Sequence, residues 1–322
     1  MLLIRPFLKA NEKRDHKIHL VIFFIFIISN CSGLLTPMGD PPLFLGFLKG
    51  VPFSWTLKNL FQEWLFTNGL LIVIFHFVDS FFLDREEKEK PGSQLEEVMV
   101  HAPLVIEGKI NIIFLASIVA IILGKGQGWG NDGAPWPFGV QEISMGIMLV
   151  LSRLTTPQEI YRSNRFTYSP IVEVAVLFIG IFLTMVSPLL ILNREAAQLG
   201  LELPWQFFWL SGSLSSFLDN APTYLTFSAV ACGKYGISVE GPQYLADFLN
   251  QGPAAVKILQ AISCGAVFMG ANTYIGNGPN FMVKAIAEEN KIKMPSFFGY
   301  MLYSVLILIP IFGLVTYIFF RP

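Results

Sequence analysis

Residues 33–42 read GLLTPMGDPP, and they lie inside the mostly apolar stretch 19–48. Proline lacks a backbone donor and clashes with the preceding helical turn, so Pro37, Pro41 and Pro42 disfavour an unbroken helix. A lone carboxylate in hydrocarbon is also costly, which makes Asp40 a poor lipid-facing residue. The stretch therefore predicts a membrane helix that is interrupted in its middle.

The composition predicts an integral membrane protein. Of 322 residues, 53% are hydrophobic and 14% are charged, and the mean hydropathy is +0.56. This balance is a poor fit to a soluble enzyme, and we expect no catalytic activity. The sequence has no basic patch with interleaved aromatic residues, which argues against nucleic acid as a partner. The three cysteines lack metal-ligand spacing, so we interpret them as packing residues and predict no cofactor.

The apolar segments predict an all-α polytopic protein in the lipid bilayer. Residues 205–232 are apolar at both ends and polar in the middle, which predicts a re-entrant hairpin. Residues 139–151 form a shorter and weaker apolar segment. Six further segments are close to the length needed to cross about 30 Å of hydrocarbon. They are 19–49, 64–83, 108–124, 169–192, 254–286 and 297–320.

The distribution of Lys and Arg predicts how the protein lies in the membrane. With the N-terminus inside, and with the hairpin entering and leaving on one face, 15 of the 22 Lys and Arg residues fall on the inner side. The side that is richer in these residues is usually cytoplasmic. We therefore predict a multi-pass protein of the cell inner (cytoplasmic) membrane.

A second interrupted segment repeats the first at an offset of 237 residues. Residues 270–279 read GANTYIGNGP, share four of ten positions with GLLTPMGDPP, and place Asn277 opposite Asp40. The same offset aligns 64–82 with 301–319, with seven identities in nineteen positions. A break followed by a span therefore occurs twice in the chain.

The two interrupted segments run in opposite directions through the membrane, which predicts inverted repeats, an arrangement of many secondary transporters. The C-terminal part of the first repeat covers residues 1–103, including a cytoplasmic loop at 84–103, and the second repeat covers 104–322. Counterparts of the hairpin and of the spans that precede it would lie before Met1. On this reading roughly 130 residues of the first repeat are missing, and a natural half-size protein is the alternative.

The breaks predict a binding site near the middle of the membrane. Unwound backbone survives there only where it is buried in protein or lines a water-filled cavity. Half-helix N-termini attract anions, and oxygen-rich side chains suit hard cations such as Na⁺. The candidate substrate- and ion-binding residues are Thr36, Gly39, Asp40, Ser216, Asp219, Asn220, Asn272, Thr273, Asn277 and Asn280, with Na⁺ assigned to Asp40, Asp219, Asn220 and Asn277.

Each carboxylate also has a structural interpretation. Asp40 could form a turn at the membrane surface, and Asp219 could cap the second arm of the hairpin. Glu173 is either a proton carrier or a paired interfacial residue. His76 and Asp79 lie one turn apart on 64–83, which fits either a proton-relay pair or a hydrogen bond on the helix surface.

Several motifs resemble the ion-transporter superfamily, most closely its citrate transporters and sodium/proton antiporters. They are SNCSGLLTPMGDPPLFLGFLKGVPFSW (29–55), FTYSPIVEVAVLFIGIFLTMVSPLL (166–190), FLDNAPTYLTF (217–227) and MGANTYIGNGPNFMVKAIAEE (269–289). The resemblance covers essentially the whole chain. It implies two repeats, each with a hairpin and an unwound helix around substrate and coupling ion, an elevator-like alternating access and a homodimer. The chain departs from the family in its length, because the first hairpin of such proteins would end just before Met1.

The two aspartates bear on the transported solute. Dicarboxylate-transporting relatives tend to use neutral Ser-Asn-Thr tips, whereas this sequence places Asp219 in the hairpin and Asp40 in the break. Carboxylates attract Na⁺ and repel citrate. A carboxylate that binds a cation or a proton, but not both, gives the simplest antiport mechanism. The sequence thus favours sodium/proton antiport, with Na⁺ and H⁺ as the transported ions. Cation-coupled transport of citrate or another organic carboxylate is the alternative, and a channel-like membrane protein is a third.

Overall fold

The computed structural model describes residues 3–89, 107–131, 136–137, 139–163 and 166–321. All regular structure in these ranges is helical, as the sequence predicts. The chain forms two compact units, one of residues 1–101 with 180–322 and one of residues 102–179. The division into inverted repeats stays a prediction.

The larger unit contains both breaks and the hairpin. Its 3₁₀ turns are Cys31–Leu35, Ala196–Leu199 and Gly270–Asn272, and its π-helical turns are Ile25–Asn30 and Thr316–Phe320. Its α-helices are α1 (Ile4–Ala10), α2 (Ile18–Phe24), α3 (Pro41–Leu48), α4 (Trp55–Glu89), α9 (Val186–Arg194), α10 (Pro204–Ser215), α11 (Asn220–Lys234), α12 (Tyr244–Leu249), α13 (Pro253–Met269), α14 (Gly278–Glu289) and α15 (Phe297–Val315).

The smaller unit has helices at the predicted segments 108–124 and 139–151 and at the start of 169–192, and one short helix, Gln158–Ser163, that corresponds to no predicted span. These are α5 (Ile110–Gln127), α6 (Val140–Thr155), α7 (Gln158–Ser163) and α8 (Ser169–Thr184), the last of which continues past residue 179. The predicted single span 169–192 is two helices, α8 and α9, separated at Met185. Pro188 explains the break, because its ring would clash with the carbonyl of Thr184 in a continuous helix.

Four described helical stretches are long and apolar enough to cross a membrane. They are Ile18–Leu35, Trp55–Glu89, Pro253–Asn272 and Phe297–Phe320. A shorter apolar helix covers Ile110–Lys125. The predicted span 64–83 lies inside the 35-residue helix α4, whose last turns extend into the predicted loop 84–103 as far as Glu89. The rest of that loop lies outside the described residues.

The hairpin consists of α10 and α11, joined by residues 216–219. Glycines bring its first arm against α13. A Cβ at Gly265 would overlap the carbonyl oxygen of Phe208, and a Cβ at Gly212 would overlap the side chain of Met269. Only glycine therefore permits this approach, which places the hairpin tip beside the second break.

Candidate functional site

The two breaks have the same local backbone. In the first, a 3₁₀ turn ends at Leu35, Thr36 is extended, and extended Asp40 is the N-cap of α3. In the second, a 3₁₀ turn ends at Asn272, Thr273 is extended, and extended Asn277 is the N-cap of α14. Both helices then begin with proline in the first two positions, where the missing N–H costs nothing. The predicted offset of 237 residues is thus present in the local structure.

A pair of glycines six residues apart closes each break. A Cβ at Gly33 would lie 2.8 Å from the carbonyl oxygen of Gly39, and a Cβ at Gly276 would lie 2.6 Å from that of Gly270. Both distances are shorter than a carbon–oxygen contact allows. The two backbone segments can approach each other because neither carries a side chain.

Side chains of α4 satisfy the unwound carbonyls of the first break. Thr56 Oγ1 donates to Leu35 O at 2.8 Å, Trp64 Nε1 donates to Ser32 O at 3.2 Å, and Asn68 Nδ2 donates to Cys31 O at 3.3 Å. These bonds replace the helical hydrogen bonds that the break removes.

Side chains of α15 do the same for the second break. The Tyr300 hydroxyl donates to Ala271 O at 2.8 Å, and Ser304 Oγ donates to Asn272 O at 2.7 Å. In each case, therefore, the second helix after a break stabilises the unwound backbone of that break.

Asp40 lies at the centre of the candidate site and is 4% exposed. Asn220 Nδ2 at the hairpin tip donates to Asp40 Oδ2 at 3.0 Å, and Asn277 Nδ2 of the second break lies 3.4 Å from Asp40 Oδ1. Three predicted site residues from three different elements thus meet at one carboxylate. Among the described ion pairs, none joins a basic side chain to Asp40.

Asn30 joins the two breaks, although sequence reasoning did not identify it as a site residue. It is fully buried, and its Nδ2 donates to Asn280 Oδ1 at 2.7 Å while its Oδ1 accepts from Asn277 Nδ2 at 3.1 Å. It ends the π-helical turn of the first broken helix, and such turns are frequent at functional sites. The sequence offers one signal for this role, because Asn30 is the single amide side chain in the apolar run IFIISN (25–30).

The hairpin tip covers the second break. Thr273 Oγ1 donates to Ser216 O and accepts from Gly276 N at 3.1 Å. Asn272 Nδ2 donates to Ser216 Oγ at 2.9 Å. Asn280 Nδ2 donates to the carbonyls of Gly270 and Thr273 at 2.8 and 2.9 Å. These four predicted residues, Ser216, Asn272, Thr273 and Asn280, therefore bond to other groups of the protein and shape the site.

Asp219 caps α11, since its Oδ1 accepts from Ala221 N at 3.3 Å. It is half-buried, and the next residue along the chain, Asn220, is bonded to Asp40. Thr36 and Gly39 are exposed, and Gly39 N donates to Thr36 O at 2.9 Å. The structure therefore does not bring Thr36 into the cluster around Asp40, and Thr36 differs from its counterpart Thr273, which is buried and bonded to the hairpin tip.

Two amide oxygens of the site are buried without a donor in the described part of the chain, Asn220 Oδ1 and Asn272 Oδ1. Ser29 Oγ, next to Asn30, is a third such oxygen. Buried oxygens without donors are costly unless a partner arrives. The Asp40 carboxylate and the amide oxygen of Asn220, on two side chains that contact each other, are oxygen ligands of the kind that a hard cation binds.

The predicted proton-path residues do not form one group. Asp79 Oδ1 accepts from Arg14 Nη1 at 2.7 Å and lies 2.9 Å from His19 Nε2. His76 is exposed and contacts the ring of Phe77, and no described contact joins His76 to Asp79. The side chain of Glu173 lies outside the described part of the structure.

One known family matches nearly the whole chain. The family described as "Putative citrate transport" matches residues 1–320. The chain belongs to this family. No curated protein and no solved structure matches it. As a member of this family the protein is a membrane transporter, and the resemblance in the motifs around both breaks and the hairpin is confirmed at the family level.

Proposed function

We propose that this family member carries citrate or another organic carboxylate across the membrane, coupled to a cation held at Asp40. The family description supports the carboxylate, and the site supports the cation. The observation that carries the proposal is the buried Asp40 carboxylate, which two elements approach with amide groups and no described basic side chain neutralises.

A cation at Asp40 would also remove an obstacle to anion binding. Alone, the buried carboxylate repels an organic anion, and Asp219, next to Asn220 in the chain, adds to that repulsion. With Na⁺ bound, the N-termini of α3 and α14 would present partial positive charge to an anion, because both helices begin at the break residues Asp40 and Asn277. Cation binding would then precede anion binding, which gives coupled transport.

Sodium/proton antiport is the second candidate, and Asp40 is the observation that favours it. The carboxylate is buried, and its side-chain donors among the described residues are amides, so it must bind either a proton or a cation to be neutral. Exchange of one for the other across the membrane needs no organic substrate.

The proposal also covers the membrane, the transported ions and the oligomeric state. We expect the transporter to act in the cytoplasmic membrane as a multi-pass protein, with Na⁺ and H⁺ as coupling or transported ions and no bound cofactor. A homodimer is expected from the family resemblance. The channel-like alternative predicts a leak that neither saturates nor depends on a coupling ion.

The test uses the purified full chain in proteoliposomes. Uptake of labelled citrate is measured with an inward Na⁺ gradient and with choline in place of Na⁺, while a fluorescent reporter inside follows pH. Citrate uptake that saturates and requires Na⁺ supports the proposal. A pH change on addition of Na⁺, without citrate uptake, establishes the antiport candidate instead. An uncoupled, unsaturable leak contradicts both.

A further inference from the structure

A pocket of about 360 Å³ opens on the smaller unit, apart from the residues of the transport site. Its walls come from the end of α6, from α7 and from the segment that leads into α8. The lining includes two arginines, three aromatic residues and an amide: Arg153, Arg162, Tyr161, Phe166, Tyr168 and Gln158.

The charge of the pocket favours an anion. No acidic side chain lines it, and neither Arg153 nor Arg162 forms an ion pair in the described part of the chain. Glu159 on the same short helix is exposed and outside the lining. These two guanidinium groups form no ion pair with a described carboxylate. Guanidinium groups bind phosphate well, because their paired N–H groups fit two phosphate oxygens.

Aromatic rings hold one of these arginines in place. The guanidinium carbon of Arg153 lies 4.6 Å from the centre of the Tyr161 ring, and such stacking leaves the N–H edges available. Phe166 N donates to Tyr161 O at 2.9 Å, which folds the segment back on α7. The Phe166 ring packs edge-on against both Tyr161 and Tyr168, with centroids 5.2 and 5.1 Å apart.

The surroundings of the pocket distinguish a lipid from a free anion. α6 carries an exposed apolar stripe at helical spacing, Ile143, Ile147, Val150 and Leu154, which ends next to Arg153. Exposed Tyr168 is an aromatic residue of the type that membranes favour at the level of the headgroups, and exposed Phe166 packs against its ring. A free phosphate would use only the arginines, whereas a phospholipid uses the arginines, the rings and the stripe.

We propose that this pocket binds the headgroup of an anionic phospholipid, with its phosphate at Arg153 and Arg162 and its acyl chains along the stripe of α6. The distribution of Lys and Arg predicts that this segment faces the cytoplasm, where anionic lipids attract basic residues. The site is separate from Asp40 and does not depend on which solute is transported.

The experiment measures lipid binding by the full chain, purified in a neutral detergent. Binding of a short-chain phosphatidylglycerol is compared with that of phosphatidylcholine of the same chain length, and inorganic phosphate is added as competitor in a separate arm. Arg153→Gln and Arg162→Gln are each expected to weaken phosphatidylglycerol binding about fivefold, while phosphatidylcholine binding is unchanged. Arg194→Gln, which removes an exposed charge at the end of α9, is the matched control and should have no effect.

Further variants separate the lipid from a simple charge effect. Arg153→Lys keeps the charge but loses the planar fork, so it should bind less well than the native chain. Tyr161→Ala removes the ring beneath the guanidinium and should also weaken binding. Unchanged phosphatidylglycerol binding in both glutamine variants overturns the proposal. Displacement of the lipid by millimolar inorganic phosphate overturns the lipid assignment in favour of a free-anion site.

Discussion

Asp40 is the residue on which the proposed transport depends. Replacing it by asparagine keeps its shape but removes the charge that neutralises a cation. We expect Asp40→Asn to lower Na⁺-dependent transport by about a hundredfold or more, because a buried charge that loses its partner costs several kcal/mol. The measurement is uptake in proteoliposomes at equal amounts of inserted protein.

Asp247→Asn is the matched control for this variant, since it makes the same chemical change at an exposed position of α12. It should transport normally. Asp219→Asn tests the second carboxylate, which caps α11. If Asp40→Asn transports as well as the native chain, the cation site has been assigned to the wrong residue.

Asn30 shows the limit of reading single residues from the sequence. At the repeat offset its counterpart is Val267, so the symmetry that pairs Asp40 with Asn277 says nothing about it. Its importance comes from contacts with residues about 250 positions away, which no local pattern encodes. Thr36 is the opposite case, because symmetry selected it and the structure leaves it exposed.

We expect Asn30→Leu to lower the free energy of unfolding by about 1–3 kcal/mol, because it leaves the Asn280 Oδ1 acceptor buried without this donor. The measurement is thermal unfolding of the purified protein, with Asn250→Leu at an exposed C-cap position as control. A native melting temperature for Asn30→Leu would mean that the bridge between the breaks contributes nothing to stability.

Each break is an element held by its glycine pair and by the second helix after it, α4 or α15. Gly276→Ala would place a Cβ 2.6 Å from Gly270 O, whereas a Cβ at Gly278 meets nothing within 4 Å. We expect Gly276→Ala to abolish transport and Gly278→Ala to preserve it. Uptake assays on the two variants, with insertion checked by membrane fractionation, make the comparison. Equal uptake would show that close backbone approach is dispensable.

The helix α15 offers a second matched pair. Tyr300→Phe removes the hydroxyl that donates to Ala271 O and keeps the buried ring. We expect it to cost about 1–3 kcal/mol of unfolding free energy. Tyr303→Phe makes the same change on an exposed residue three positions later and should stay within about 0.5 kcal/mol of the native chain. Thermal unfolding distinguishes the two, and equal stability would contradict the role given to Tyr300.

At the scale of elements, the sequence predicted both breaks and the hairpin because proline, glycine and polar residues mark them directly. It did not predict that the span 169–192 divides at Met185, although Pro188 was visible in it. Asp79 was paired with His76 from their spacing on one helix, whereas the structure places it against Arg14 and His19 of an earlier segment. Partners that come from distant parts of the chain leave no trace in helical periodicity.

For the whole molecule, a bound cation should be a source of stability. The site is buried, and a cation that binds only the folded state stabilises it by about 2.7 kcal/mol at a concentration one hundred times Kd. We expect Na⁺ to raise the melting temperature, while choline at equal ionic strength does not. Asp40→Asn should remove the difference. A shift that persists in this variant would point to a cation site elsewhere.

The bridge of Asn30, Asn277 and Asn280 also has a mechanical consequence. To separate the two broken helices, the protein must break the buried hydrogen bonds that Asn30 forms with Asn280 and Asn277, each worth about 0.5–1.5 kcal/mol. Opening of the site between the two breaks would therefore be slow. Among the described contacts, the hairpin tip is bonded to the second break through Thr273 and Asn272, but to Asp40 of the first break only through the bond from Asn220. Solute should therefore enter and leave between the hairpin tip and the first break.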